Sequence, residues 1–123
     1  MSKVERFEDL IAWQKARVLT RDIYAITREG SFTRDFGLSS QIQRAAVSIM
    51  SNIAEGFERS SARDRLHFFI MAKSSCAEVR SQLYVALDVN YISHEQFETL
   101  SAQAEETSRI LGKLCSVLAK RAD

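Results

Sequence analysis

The sequence is short of the residues that interrupt helices and lacks the patterns of disulfide and membrane proteins. Its 123 residues include no proline and only four glycines, so the tight turns of a sheet protein lack their usual residues. No window contains the roughly twenty consecutive apolar residues of a membrane-spanning helix. Cys76 and Cys115 stand far apart, without a CxxC or histidine partner at ligand spacing. We therefore expect one helical domain, residues 1–123, with two reduced thiols and no membrane association.

The sequence also lacks an excess of either charge. Seventeen basic and sixteen acidic side chains leave a formal charge of +1, so the chain lacks the overall basic excess of a dedicated nucleic-acid binder. A local basic patch is still compatible with this balance. The first ten residues, MSKVERFEDL, contain no apolar run of signal-peptide length, and we expect a cytoplasmic protein.

Four segments have the apolar periodicity of amphipathic helices. The pattern predicts a first helix over residues 8–28, a second from 39 or 40, a third from 60 or 61 to 89 and a fourth from 93 onward. Serine starts each of the last three, and Gln96 lies three residues after Ser93, as in a capping box. Mostly short connections between four helices predict an all-α, up-and-down antiparallel four-helix bundle.

The helices carry more apolar surface than one small bundle can bury. The first has a core stripe of Ala12, Ala16, Leu19, Ile23 and Ile26 and a second stripe of Phe7, Ile11, Val18 and Ala25. The third has one stripe of Leu66, Ile70, Ala77 and Tyr84 and another of Phe68, Ala72, Val79 and Ala86. The second helix also has two. Because an isolated bundle needs one stripe per helix, the surplus predicts contact with further copies of the chain.

A polar strip interrupts the apolar character of the second helix, within SIMSNIAEGFERSS. In one interpretation it is a binding groove, where Arg44 and Arg59 contact phosphates while Asn52 and Glu55 contact a polar ligand. In the other, Asn52 and Glu55 satisfy polar groups of the third helix and fix the register of the bundle, and the absent side chain of Gly56 permits a close approach. The predicted structural motif comprises Arg44, Ser48, Asn52, Glu55, Gly56, Ser75 and Glu78.

No arrangement of residues predicts a reaction. His67 and His94 lack metal-binding spacing, and a glycine-rich phosphate loop is missing. Glu55 and Glu78 could approach across two helices, but no ExxH motif accompanies either one. Trp13 could stack on a base, although a packing role is more usual. We expect no catalytic residue, cofactor, metal or small-molecule substrate.

Arginines cluster where the second and third helices are expected to meet. Arg59, Arg63 and Arg65 lie within seven residues of one another and form a candidate nucleic-acid-binding corner. Glu58 and Asp64 are interspersed with them, so an ion-paired, solvated surface is the competing interpretation. Repetition by subunit symmetry would turn a weak corner into a basic ring.

Longer motifs resemble one family. The run QIQRAAVSIMSNIAEGFERSS resembles the signature of the bacterial four-helix-bundle family that includes proteins encoded in intervening sequences of 23S ribosomal RNA genes. FEDLIAWQKA, FGLSSQI, FFIMAKSSCAEVRSQL and YIS resemble further family segments in the same order. The residues that match family motif positions are Trp13, Gln14, Arg44, Ser48, Asn52, Glu55, Gly56 and Ser75.

The resemblance implies a bundle that associates as a homopentameric ring. It also extends to the accessory protein of diversity-generating retroelements, which works with a reverse transcriptase and RNA through a strongly basic surface. With a formal charge of +1, this chain departs from the strongly basic pattern of that protein. A non-enzymatic homo-oligomeric interaction module is therefore the first hypothesis, and an RNA-binding accessory factor acting with a nucleoprotein is the alternative.

Overall fold

Four long helices account for most of the chain. In the computed structural model, which describes residues 4–122, they are α1 (Ile11–Thr27), α2 (Phe36–Glu58), α3 (Ala62–Asp88) and α4 (His94–Arg121). Short 3-10 segments occupy Phe7–Asp9 and Gly30–Arg34, and there is no strand within the described residues. The all-α prediction is confirmed.

Helix α2 begins earlier than predicted. Its N-cap is Asp35, whose carboxylate accepts a hydrogen bond from the Leu38 backbone N–H at 3.0 Å. The predicted start at Ser39 or Ser40 is wrong, because the 3-10 turn before Asp35 shortens the loop and brings this carboxylate to the helix end. Ser39 instead lies buried inside the helix.

The other two predicted caps are confirmed. At the start of α3 the Ser61 hydroxyl accepts from the Asp64 N–H at 3.1 Å. At the start of α4 both bonds of the capping box are present, from the Gln96 N–H to the Ser93 hydroxyl at 3.1 Å and from the Ser93 N–H to the Gln96 side chain at 2.9 Å.

The turn between α3 and α4 is fixed by a left-handed residue. Asn90 has φ 65°, and the Tyr91 N–H donates to the Ala86 carbonyl at 2.9 Å, as in a Schellman motif. The Tyr91 hydroxyl donates to Asp35 at 2.8 Å, and its ring stacks on the buried Phe32 with centroids 5.0 Å apart. This turn is thereby tied to the start of α2.

The helices occupy the four corners of an antiparallel bundle. Helices α1 and α3 each pack against both α2 and α4, and the contacts of α3 are the more extensive. Helices α1 and α3 therefore lie on a diagonal. This arrangement leaves one outward face on every helix.

The core confirms the predicted core stripe of α1. Helices α2 and α4 each bury one stripe of residues as well, whereas only part of the two predicted stripes of α3 is buried. The α3 residues that face the core are Phe69, Ala72, Ser75, Cys76, Val79, Leu83 and Ala86. Of the two stripes predicted for α3, the one with Ile70 and Tyr84 is largely exposed. Helix α3 has apolar residues around its whole circumference, so periodicity alone does not identify the buried face.

Candidate functional site

A hydrogen-bonded seam of side chains joins α2 to α3. The Ser75 hydroxyl, on α3, donates to the Ser48 hydroxyl at 3.0 Å, and the Asn52 amide donates to that same hydroxyl at 3.0 Å and to the Ser48 carbonyl at 2.9 Å. Ser75 is buried, while Ser48 and Asn52 are half-buried. The bond between the two helices thus comes from Ser48, whereas the sequence pointed to Asn52. Asn52 supports Ser48 from within α2.

Gly56 allows α2 and α3 to approach closely. It lies one turn after Asn52 and two turns after Ser48 along α2. A Cβ atom added to Gly56 would lie 2.7 Å from Cε1 and 2.8 Å from Cδ1 of Phe69, and 3.1 Å from Cβ of Phe68. Distances under 3.0 Å are inside van der Waals contact. The predicted role of Gly56 in helix contact agrees with this geometry.

The remaining residues of the polar motif face solvent. The Glu55 carboxylate pairs with Arg59, the C-cap residue of its own helix, at 3.3 Å, and does not reach α3. Arg44 and Glu78 are exposed and form no ion pair or side-chain hydrogen bond within residues 4–122. The predicted motif therefore divides into a partly buried half at Ser48, Asn52, Gly56 and Ser75 and an exposed half.

The arginines of the corner between α2 and α3 are largely held by their own surroundings. The guanidinium of Arg59 lies 4.6 Å from the ring centroid of Phe68 and pairs with Glu55. Arg65 donates through Nε to the Arg59 carbonyl at 2.6 Å. Arg63 is exposed and has no ion pair in the described part of the chain. The structure places the three arginines at one corner, with two of them engaged.

Candidate chemical groups elsewhere are not assembled into a centre. His67 and His94 are exposed, and no group of three or more His, Cys, Asp or Glu side chains suited to a metal occurs among residues 4–122. Burial raises the pKa of the Cys76 thiol to about 12, against the opposing effect of Arg80 and Lys73, and burial also raises the pKa of Cys115. Both thiols are therefore poor nucleophiles at neutral pH.

A surface cleft of about 780 Å³ surrounds Trp13. The indole packs edge-on against Phe7 at 5.3 Å, Arg17 stacks at 5.7 Å from its centroid, and the Gln14 amide donates to the Glu8 carbonyl at 2.9 Å. Half-burial of Trp13 agrees with its predicted packing role. The sequence did not predict the 3-10 turn that brings Phe7 here, because three residues are too few for a periodic signal.

Large apolar side chains are exposed on α1 and α3, as the surplus stripes predicted. Ile11 is 56% exposed and Val18 38%, and on α3 Ile70 is 50% and Tyr84 55% exposed. A groove of about 560 Å³ runs between α3 and α4 beside Ile70, and Gly112 and other small residues of α4 line it.

Within residues 4–122, no helix has the length and apolar character needed to cross a membrane.

Comparison with known proteins gives a family and a fold. The family model described as 23S rRNA-intervening sequence protein matches residues 8–113. A crystal structure of a protein with unknown function, from the S23 ribosomal protein family of Bacteroides thetaiotaomicron VPI-5482, superimposes with a TM-score of 0.78 at 23% identity. The match covers 85% of this chain and 98% of that one. No curated protein matches the chain. With most of its length matched by the family model, the chain belongs to the 23S rRNA-intervening sequence protein family.

Proposed function

We propose that this chain is a cytoplasmic, non-enzymatic module that assembles with copies of itself, as a homopentameric ring, and presents repeated surfaces to a partner. The observation that carries the proposal is the exposed apolar surface. Among the described residues, exposed large apolar side chains lie in rows at Ile11 and Val18 on α1 and at Ile70 and Tyr84 on α3. Single exposed apolar residues are ordinary, but aligned rows of them indicate a surface that another molecule covers.

Self-association fits this surface better than a small ligand does. The rows run for about four turns of their helices, from residue 11 to 25 and from 70 to 84, whereas ligand sites are concave and enclosed. The number five comes from the resemblance to the family.

Light scattering at several concentrations tests the proposal directly. The protomer has a mass of 14.0 kDa, so a pentamer would have about 70 kDa, five times that value. A particle that stays at the protomer mass up to high concentration would refute the proposal. A stable particle of another multiple would retain the oligomer and correct the number.

Nucleic-acid binding through Arg59, Arg63 and Arg65 is the alternative. Arg63 favours it, because this residue is exposed and forms no ion pair with any residue between 4 and 122. Repetition around a ring would place several copies of this corner on one particle. An RNA mobility-shift assay across salt concentrations on the same sample tests it, because phosphate contacts release counterions and weaken as salt rises. If the protein does not bind RNA at low salt, or if Arg63→Gln binds RNA as well as wild type does, this site is excluded.

A further inference from the structure

Two exposed stripes of the bundle share the same spacing. Each consists of three residues that recur every seventh position, which keeps them in line along a helix that packs on a neighbour. The α1 stripe is Ile11, Val18 and Ala25, and the α3 stripe is Ile70, Ala77 and Tyr84. All six residues are exposed, so neither stripe is covered by the bundle itself.

Contacts through α2 show that the two stripes lie at similar heights. The Thr20 hydroxyl of α1 donates to the Ala46 carbonyl of α2, and two residues further along α2 the Ser48 hydroxyl accepts from Ser75 of α3. Because α2 runs antiparallel to both α1 and α3, the middles of α1 and α3 lie level. The middle residues of the stripes therefore differ in height by less than about one turn, roughly 5 Å.

Both stripes lie on the side of their helices that faces α4. On α1, Asp22 lies next to the stripe and accepts from Gln103 of α4 at 3.0 Å. On α3, the Tyr84 ring packs against Phe97 of α4 at 4.8 Å, and Ala77 lines the groove between α3 and α4. The stripes thus flank α4, one on each side.

We propose that the α1 stripe of one copy docks on the α3 stripe of the next copy, with the two helices parallel and level. This inference rests on the proposed self-association and identifies the surfaces that make it. Rotation about an axis parallel to the bundle keeps the height and direction of every helix, so Ile11 comes opposite Ile70. In the same register a large residue meets a small one twice, Val18 against Ala77 and Tyr84 against Ala25.

Charge agrees with this register at its upper end. Arg28, the C-cap residue of α1, comes three residues after Ala25, and Asp88, the last residue of α3, comes four residues after Tyr84. Asp88 is exposed and forms no ion pair within residues 4–122. In the docked register the Arg28 guanidinium of one copy and the Asp88 carboxylate of the next come to the same level, where they attract each other.

The contact is head-to-tail, because two different surfaces meet, and such contacts form either rings or open filaments. Both surfaces lie on the α4 side, so successive copies turn toward that side. Because the docked helices are level, successive copies do not rise along the axis, and this favours a closed ring over a filament. In such a ring the outward face of α4 lies around the axis and α2 lies on the outside.

Cysteine cross-linking tests the register. In a Cys115→Ser background, which removes the thiol that lines the groove, the double variant Val18→Cys/Ala77→Cys should form a ladder of disulfide-linked species on mild oxidation. A disulfide requires Cα atoms within about 7 Å. The control is Val18→Cys/Val85→Cys, since Val85 is 47% exposed on the α2 side of α3. The control should give no ladder.

A charge variant gives a second measurement. Ala77→Glu should reduce the mass in light scattering to that of the protomer with circular dichroism unchanged, whereas Val85→Glu should keep the wild-type mass. A wild-type oligomer with no ladder from the Val18/Ala77 pair, or a folded Ala77→Glu variant that still assembles, overturns the register but leaves self-association standing. A monomeric wild-type protein overturns both.

Discussion

Replacing Gly56 with alanine should destabilise the bundle, although the same change inside a helix normally stabilises. Alanine is favoured over glycine in a helix interior by about 1 kcal/mol. At Gly56 the new methyl group would lie 2.7 Å and 2.8 Å from ring carbons of Phe69, which is only 4% exposed. A ring held in the core cannot turn away freely.

The third contact makes relaxation harder. Cβ of Phe68 would lie 3.1 Å from the new methyl group, and this atom moves only with the α3 backbone. Overpacking of this kind costs roughly 1–3 kcal/mol. The crowding places the cost in the upper part of that range, so after the gain in propensity the net loss is about 1–2 kcal/mol, equivalent to a fall in Tm of about 3–8 °C.

Gly112→Ala is the matched control, because Gly112 is also in a helix interior. A Cβ there would meet Lys73 Cε at 3.7 Å, an ordinary contact with a flexible side chain. This variant should gain up to about 1 kcal/mol. Both variants are unfolded in urea at one protein concentration and followed by circular dichroism, after light scattering has shown that they keep the wild-type mass. A Gly56→Ala variant as stable as wild type would refute the reasoning.

Three further predictions concern the seam, the α2 cap and the thiols. Ser48→Ala should lower the free energy of unfolding in urea by about 1–3 kcal/mol, because it leaves the buried Ser75 hydroxyl without its acceptor; an unchanged midpoint would contradict this. The Leu38 N–H and the Tyr91 hydroxyl lower the pKa of Asp35, so its contribution is present above the unfolded-state pKa and lost as pH falls through the folded one. Asp35→Asn should accordingly be less stable than wild type at pH 7, and this difference should shrink toward pH 2 in thermal melts. Iodoacetamide at pH 8 should modify Cys115 before Cys76, as followed by mass spectrometry, because Cys76 is 1% exposed and burial raises its pKa to about 12. Faster reaction at Cys76 would count against its burial.

Periodicity predicted the fold because three helices bury one clear stripe each. It did not identify the buried face of α3, where Ser75 and Cys76 face the core and Ile70 faces solvent. The start of α2 was missed since the capping role of Asp35 depends on the preceding 3-10 turn. Propensity and spacing describe local structure, and these two features depend on contacts between segments.

Spacing placed the polar residues of α2 in one strip, but it did not predict which hydrogen bonds they form. Ser48, Asn52 and Glu55 occupy one strip of α2, as their spacing required. Which of them reaches α3 depends on the side-chain length and on the separation of the helices. That separation is short because of Gly56, so the short hydroxyl of Ser48 meets Ser75, while the longer Glu55 pairs along its own helix.

The unequal packing of the helices has a consequence for local unfolding. Helix α1 has less extensive contacts with its neighbours than α3, so in an isolated protomer its amide hydrogens would exchange with solvent earlier than those of α3. Helix α1 also carries one of the two stripes that we propose for docking. Assembly would therefore slow hydrogen exchange most in α1, the helix that the bundle protects least. The sequence in which the helices of one protomer open would then depend on the neighbouring copies.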